Sequence, residues 1–117
     1  MNPKSPETWT WFSGEQAVRF LEPGMLLVLN DFAYDRNVFY TWQTRLVDGY
    51  LTETETVIAK SYLVLEITLI YQHVFDIYNV TFLTDWSNVT SRKFFTNSMT
   101  CFSPDWFDHI VRPGQTK

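Results

Sequence analysis

Between residues 77 and 95 the chain alternates, turns and alternates back, and that pattern commits it to a β architecture. Tyr78, Val80 and Phe82 fall on one face of the first run, with Asn79, Thr81 and in part Leu83 on the other. A period of two, filled by β-branched and aromatic residues, reads as a half-buried strand. Asp85, Trp86, Ser87 and Asn88 form a polar turn, and residues 89–95 return as the next strand. Residues 103–108, which include Pro104, Trp106 and Phe107, predict a single helical turn packed across a barrel end.

Upstream, residues 1–12 form a polar, proline-spaced arm that ends in Trp9, Trp11 and Phe12. Two alternating tryptophans are out of place in a solvated tail, since burying each stabilises by about 2–3 kcal/mol. The arm therefore packs, either on its own barrel or on a neighbouring chain. Ser13 followed by Gln16 is a capping box, and a short helix over 13–22 places Ala17, Val18 and Leu21 on one face until Pro23 stops it. Pro23 and Gly24 turn into an apolar first strand at 25–29. Residues 30–35 read as a strand end and turn, and Asp48-Gly49 marks a hairpin. Residues 31–55 are thus a long excursion folded as a two-stranded ribbon. A second core strand spans 57–70 with a bend near Lys60 and Ser61, and a connector over 70–75 leads to the next. The tail from Arg112 is polar. One short helix, five or six antiparallel strands and one helical turn favour a small, mainly β barrel over a sandwich.

At 117 residues the chain reads as a single domain, 1–117, able to build a core without metal or disulfide support. Its charged fraction of 19% and apolar fraction of 45% exclude intrinsic disorder. Five Trp, six Tyr and ten Phe are more rings than so small a core encloses, and exposed rings point to a protein partner or self-assembly. The net charge of −4, with basic residues scattered, argues against nucleic acid. Cys101 stands alone, which suits a reducing compartment and excludes an internal disulfide or a cysteine zinc site. No signal peptide is visible, and the apolar run 62–71 is too short for a bilayer and is broken by Glu66 and Thr68. The expectation is a cytoplasmic protein without a membrane partner. Asn79 and Asn88 match the glycosylation acceptor pattern by chance, because secretion is not expected.

No catalytic constellation stands out. His73 falls in a connector and His109 in the helical turn, neither with a positioned nucleophile. The carboxylate pairs Asp31/Asp35, Glu53/Glu55 and Asp105/Asp108 read as solvated loop acids, and four scattered glycines make no phosphate cradle. The reading is a non-enzymatic chain with no cofactor, metal or small-molecule substrate. The excursion has the composition of an interface, with rings of Tyr and Trp rimmed by charge. Together with the arm it supplies the candidate protein-binding residues Trp9, Trp11, Asp31, Tyr34, Asp35, Tyr40, Trp42, Tyr50 and Glu53. The alternative is that half of these rings close the barrel floor.

The order of parts resembles an SH3-like β-barrel over residues 24–112: a first strand, a long excursion, three antiparallel strands, a helical turn over 104–108 and a closing strand at Ile110 and Val111. Tyr78, Val80, Phe82, Leu83 and Asp85, with Trp106, Phe107 and Ile110, are similar to small SH3-like proteins of tailed bacteriophages. That resemblance implies a viral binding or structural module in the virion or the host cytoplasm, or alternatively an inhibitor of a host enzyme or defence complex. Residues 31–35 resemble the Ala-Leu-Tyr-Asp-Tyr segment of peptide-binding SH3 domains, but no Trp pair follows, so a proline-peptide groove is not implied.

Overall fold

Seven antiparallel strands form one sheet in the order β3-β2-β6-β5-β4-β1-β7, curled into a half-barrel. The structure, a computed structural model, describes residues 5–85 and 88–114. The start of the arm, two residues of the turn after residue 85 and the last three of the tail lie outside them.

Helix α1 (Gly14–Phe20) begins where the capping box predicts. The Gln16 N–H donates to Ser13 Oγ at 3.2 Å, and the Ser13 N–H donates to Gln16 Oε1 at 2.8 Å. Ala17 and Leu21 bury the inner face. The helix start lies directly on the backbone of Phe95, so that a Cβ on Gly14 would sit 1.9 Å from its carbonyl oxygen. Strand β1 (Leu26–Leu29) follows, with Leu27 and Leu29 turned into the core.

The segment after β1 is helical, not a strand end and turn: α2 spans Asp31–Asp35. Asn30 is the reason. Its side-chain oxygen accepts from the Ala33 N–H at 2.8 Å, an N-cap bond, while its Nδ2 donates to the Asp105 carbonyl at 2.9 Å. The predicted ribbon is present as β2 (Thr41–Val47) and β3 (Tyr50–Val57), and β2 pairs with a later strand at Trp42 opposite Ser91. Asp48 and Gly49 both take positive φ, 52° and 84°, the geometry of a two-residue hairpin turn.

The predicted strand over 57–70 is in fact the end of β3, a break at 58–60, and β4 (Ser61–Gln72), which takes up half of the expected connector. β5 (Asp76–Thr84) and β6 (Val89–Phe95) match the expected alternation. Irregularities in β4 lie farther on than Lys60, at Leu65 and Ile70, where β4 carries one residue more than its partner. Tyr62 and Val64 face inward before the first bulge. Beyond it the phase reverses, so Ile67 and Leu69 lie on the face of Val80 and Tyr78, while Glu66 and Thr68 turn out beside Thr81 and Asn79. The helical turn is shorter than predicted, Pro104–Trp106, and β7 begins at Phe107 and ends at Val111. His109 is therefore an exposed strand residue opposite Val28.

The concave face holds an aromatic core. Phe39, from the loop before β2, lies within 4.9–6.0 Å of the rings of Tyr62, Phe82, Phe102, Trp106 and Phe107. A hydroxyl chain runs beneath it: the Ala59 N–H donates to Tyr62 Oη at 2.9 Å, the phenol hydrogen-bonds Thr41, and Thr41 Oγ1 donates to Thr90 Oγ1 at 2.7 Å. Burial pushes the Tyr62 phenol from 10.0 up to about 12.

Two outcomes follow. Gly14→Ala loses about 3 kcal/mol in denaturant unfolding, because helix and strand must separate to admit one methyl group. Tyr62→Phe is less stable than the parent at pH 7, since Ala59 loses its acceptor. The folded state holds the phenol proton more tightly, so its contribution is complete below pH 10 and fades as pH rises toward 12. The gap between parent and variant narrows by on the order of 2 kcal/mol across that window, measured by urea unfolding at each pH.

Candidate docking surface

The sequence-predicted residues divide among three places. Five gather around α2 and the helical turn. Trp9 is buried, its ring 6.0 Å from Phe32 and 6.3 Å from Trp106. Trp11 leans on Trp9 and Trp106 at 5.7 and 5.9 Å and stays 41% exposed. The arm is pinned by the Thr10 N–H, which donates to Asp105 Oδ2 at 2.5 Å. Asp31 accepts from Lys60 Nζ at 2.5 Å, and that hydrogen bond and charge hold its carboxyl below the usual range. The Asp31 side chain is almost fully exposed, so solvent screens the pair. Lys60 also lies over the Tyr34 ring at 5.3 Å, and Asp35 faces solvent.

Tyr40 and Trp42 form the second place, packed edge to face at 5.1 Å. Their partner is Arg92 of β6, whose guanidinium lies 4.8 Å from the Tyr40 ring and 6.0 Å from Trp42 and donates to the Tyr40 carbonyl at 2.8 Å. Among the described residues the buried Arg92 Nε meets no hydrogen-bond acceptor, and ring faces take over part of its solvation. These rings therefore hold a half-buried cation of their own chain. Burial also raises the Cys101 thiol, with the Arg92 charge opposing. Tyr50 is the third place, 76% exposed beside the β2–β3 turn. The Glu53 side chain lies outside the described residues.

Among the described residues, exposed apolar side chains gather where the sequence reading placed none. β4 has 12 residues, about twice the common strand length, and only its first third is buried, with Ile67 half-buried against the core beyond it. Its remainder, with the start of β5, forms a ribbon end that carries apolar side chains on both faces, with Glu66 and Thr68 on the outer one. Leu69 joins Tyr78 on the concave side, while Tyr71, Ile77 and Phe95 share the convex side. Phe75 lies 5.8 Å from the Tyr71 ring and 6.0 Å from Phe95, and His73 stacks on Tyr71 at 6.3 Å. Val74 at the tip is 86% exposed. The available signal was length: an apolar stretch outrunning the core it was assigned to.

Beside this end, a cleft of about 320 Å³ opens between α1 and the sheet, lined by Glu15, Val18, Arg19, Asp76, Tyr78 and Thr96. Arg19 is occupied by Glu15 at 2.6 Å. Among the described residues no group of three or more His, Cys, Asp or Glu is placed to hold a metal ion, and no helix is long and apolar enough to cross a membrane. No protein-family model matches the chain, and neither a curated protein nor a solved structure matches it.

The arm provides a direct check. Trp9→Ala costs about 3 kcal/mol in thermal or urea unfolding, in line with a buried ring, whereas Trp11→Ala, already part-exposed, costs about 1 kcal/mol.

Proposed function

We propose that this chain is a non-enzymatic docking module that engages protein through the end of the β4–β5 ribbon. The observation that carries the reading is the ribbon itself: a strand pair with apolar side chains on both faces is built like a core element, yet among the described residues Ile70, Tyr71 and Val74 stay 48%, 46% and 86% exposed. Its rings are already held against one another, which lowers the entropy lost on binding.

The excursion, expected to be the docking face, supports this role less well. Trp9 is taken up by the arm's own packing, and Tyr40 and Trp42 by Arg92. The strand order supports an SH3-like reading of the scaffold: β1 lies between β4 and β7, β4-β5-β6 is a meander, and the helical turn precedes β7. A role in a virus particle and inhibition of a host enzyme rest on the resemblance alone, and both are forms of docking.

A photo-crosslinking residue placed at position 74, and separately at position 50, tests the reading in cells expressing the full chain. Position 74 yields a discrete protein adduct and position 50 does not. No adduct from position 74, or one from position 50 only, rejects the ribbon end as the docking surface.

A further inference from the structure

We infer that the occupant of the ribbon end is an extended segment of a partner protein, added as an extra strand along the free edge of β4, with an apolar centre and a basic flank. The inference rests on the docking reading above and names the chemistry of its partner.

The first support is an unpaired backbone. β1 and the turn before it follow β4 no farther than Val64, whose N–H donates to the Met25 carbonyl at 2.8 Å and whose carbonyl accepts from the Gly24 N–H at 2.7 Å. From Glu66 to Gln72, among the described residues, β4 pairs with β5 alone. In a strand the side-chain face and the hydrogen-bonding side are coupled, so residues that face inward as Val64 does turn their backbone the same way. Ile67 and Leu69 return to that phase after the bulge, and their N–H and C=O groups therefore point to the side that β1 does not reach. A lipid surface, or an apolar face laid over the ribbon, leaves these groups unsatisfied. An added strand pairs with them.

The second support is the two-sided apolar character. Leu69 lies on one face and Tyr71 on the other, so a partner laid on either face reaches only half of the ribbon end. A strand lying alongside β4 carries its own side chains to both faces and packs on both at once. Such a strand, covered on two sides, is a continuous run of β-branched and aromatic residues.

The third is how the edges differ. Sheet edges are ordinarily blunted by charge, proline or short length. β3 carries Glu53 and Glu55, while β7 is five residues long, with Asp108 within it and Pro113 beyond. Residues 67–75 contain no Asp, Glu, Lys, Arg or Pro. The bulges at Leu65 and Ile70 frame a regular stretch, residues 66–69, which sets the register of whatever pairs there. Glu66 at one end of the free edge, and Asp76 across from Gln72 at the other, favour Lys or Arg on the flanks of the incoming segment. The net charge of −4 acts in the same direction, and a second copy of the chain gains nothing from it.

A displayed library of random peptides of about 12 residues, selected on the purified full chain, supplies the probe. The expected peptides share a run of about four or more Val, Ile, Leu, Thr, Phe or Tyr residues without Pro, and carry Lys or Arg on a flank. They bind with a dissociation constant of about 10 µM by calorimetry. An N-methyl scan of the peptide alternates: methylating an amide that faces β4 weakens binding at least about tenfold, and methylating its solvent-facing neighbours changes it by less than about twofold. In amide exchange read by NMR, the free chain exchanges quickly at Ile67 and Leu69 and slowly at Thr68, and bound peptide slows the first two at least about tenfold. No enriched peptide, a flat methyl scan, or unchanged exchange at Ile67 and Leu69 overturns the added strand. Protection of those two amides that grows with protein concentration in the absence of peptide also overturns it, assigning the edge to a second copy. After any of these, a discrete heterologous adduct from position 74 still upholds docking at the ribbon end, and its absence removes both readings.

Discussion

Phe39 holds the two halves of the molecule together. It belongs to no strand, yet its ring meets rings from β4, β5, residue 102, the helical turn and β7. Each edge-to-face pair adds about 0.5–1.5 kcal/mol beyond simple burial. A curled sheet open on one side needs something to fill that side, and a ring delivered by the excursion does so. The excursion is thus anchored at its centre, with α2 before Phe39 and the β2–β3 hairpin after it. The hydroxyl chain from Ala59 through Tyr62 and Thr41 to Thr90 fixes the same junction from the polar side.

The aromatic surplus visible in the composition is resolved unevenly. Trp9, Trp106, Tyr62 and several phenylalanines enter the core, and Tyr40 and Trp42 close over Arg92. Among the described residues, what remains outside is not spread evenly: Tyr71, Phe75 and Phe95 stand together on the ribbon end, Tyr50 lies at the opposite end, and Trp11 stays part-exposed on the arm. Antiparallel connectivity produces this separation, since successive hairpin turns must fall at alternate ends of a meander.

Much of the scaffold was legible because its signals are local. The capping box at Ser13, the Asp48-Gly49 turn and the alternation through β5 and β6 each depend on a few adjacent residues and appear where expected. Asn30 misled because an N-cap and a turn use the same side chain, and only its second bond, to the Asp105 carbonyl, favours the helix. The candidate site was less legible. Whether Tyr40 and Trp42 are free depends on Arg92, some fifty residues away in the chain. The ribbon end was missed because an apolar run reads as core whether or not the core extends far enough to cover it.

The two bulges in β4 carry a consequence for how such a protein changes over time. Glu66 and Thr68 point outward, and Ile67 and Leu69 inward, only because Leu65 adds one residue ahead of them. Strands ordinarily tolerate substitution and resist indels. Deleting Leu65 itself would only remove the bulge, but a one-codon deletion of Glu66 with the bulge kept would turn Ile67 and Leu69 outward and Thr68 inward, with no change to any residue of the aromatic interior. The chemistry this edge presents is therefore governed by residue count as much as by residue identity, and lineages can diverge in what they bind while sharing one core.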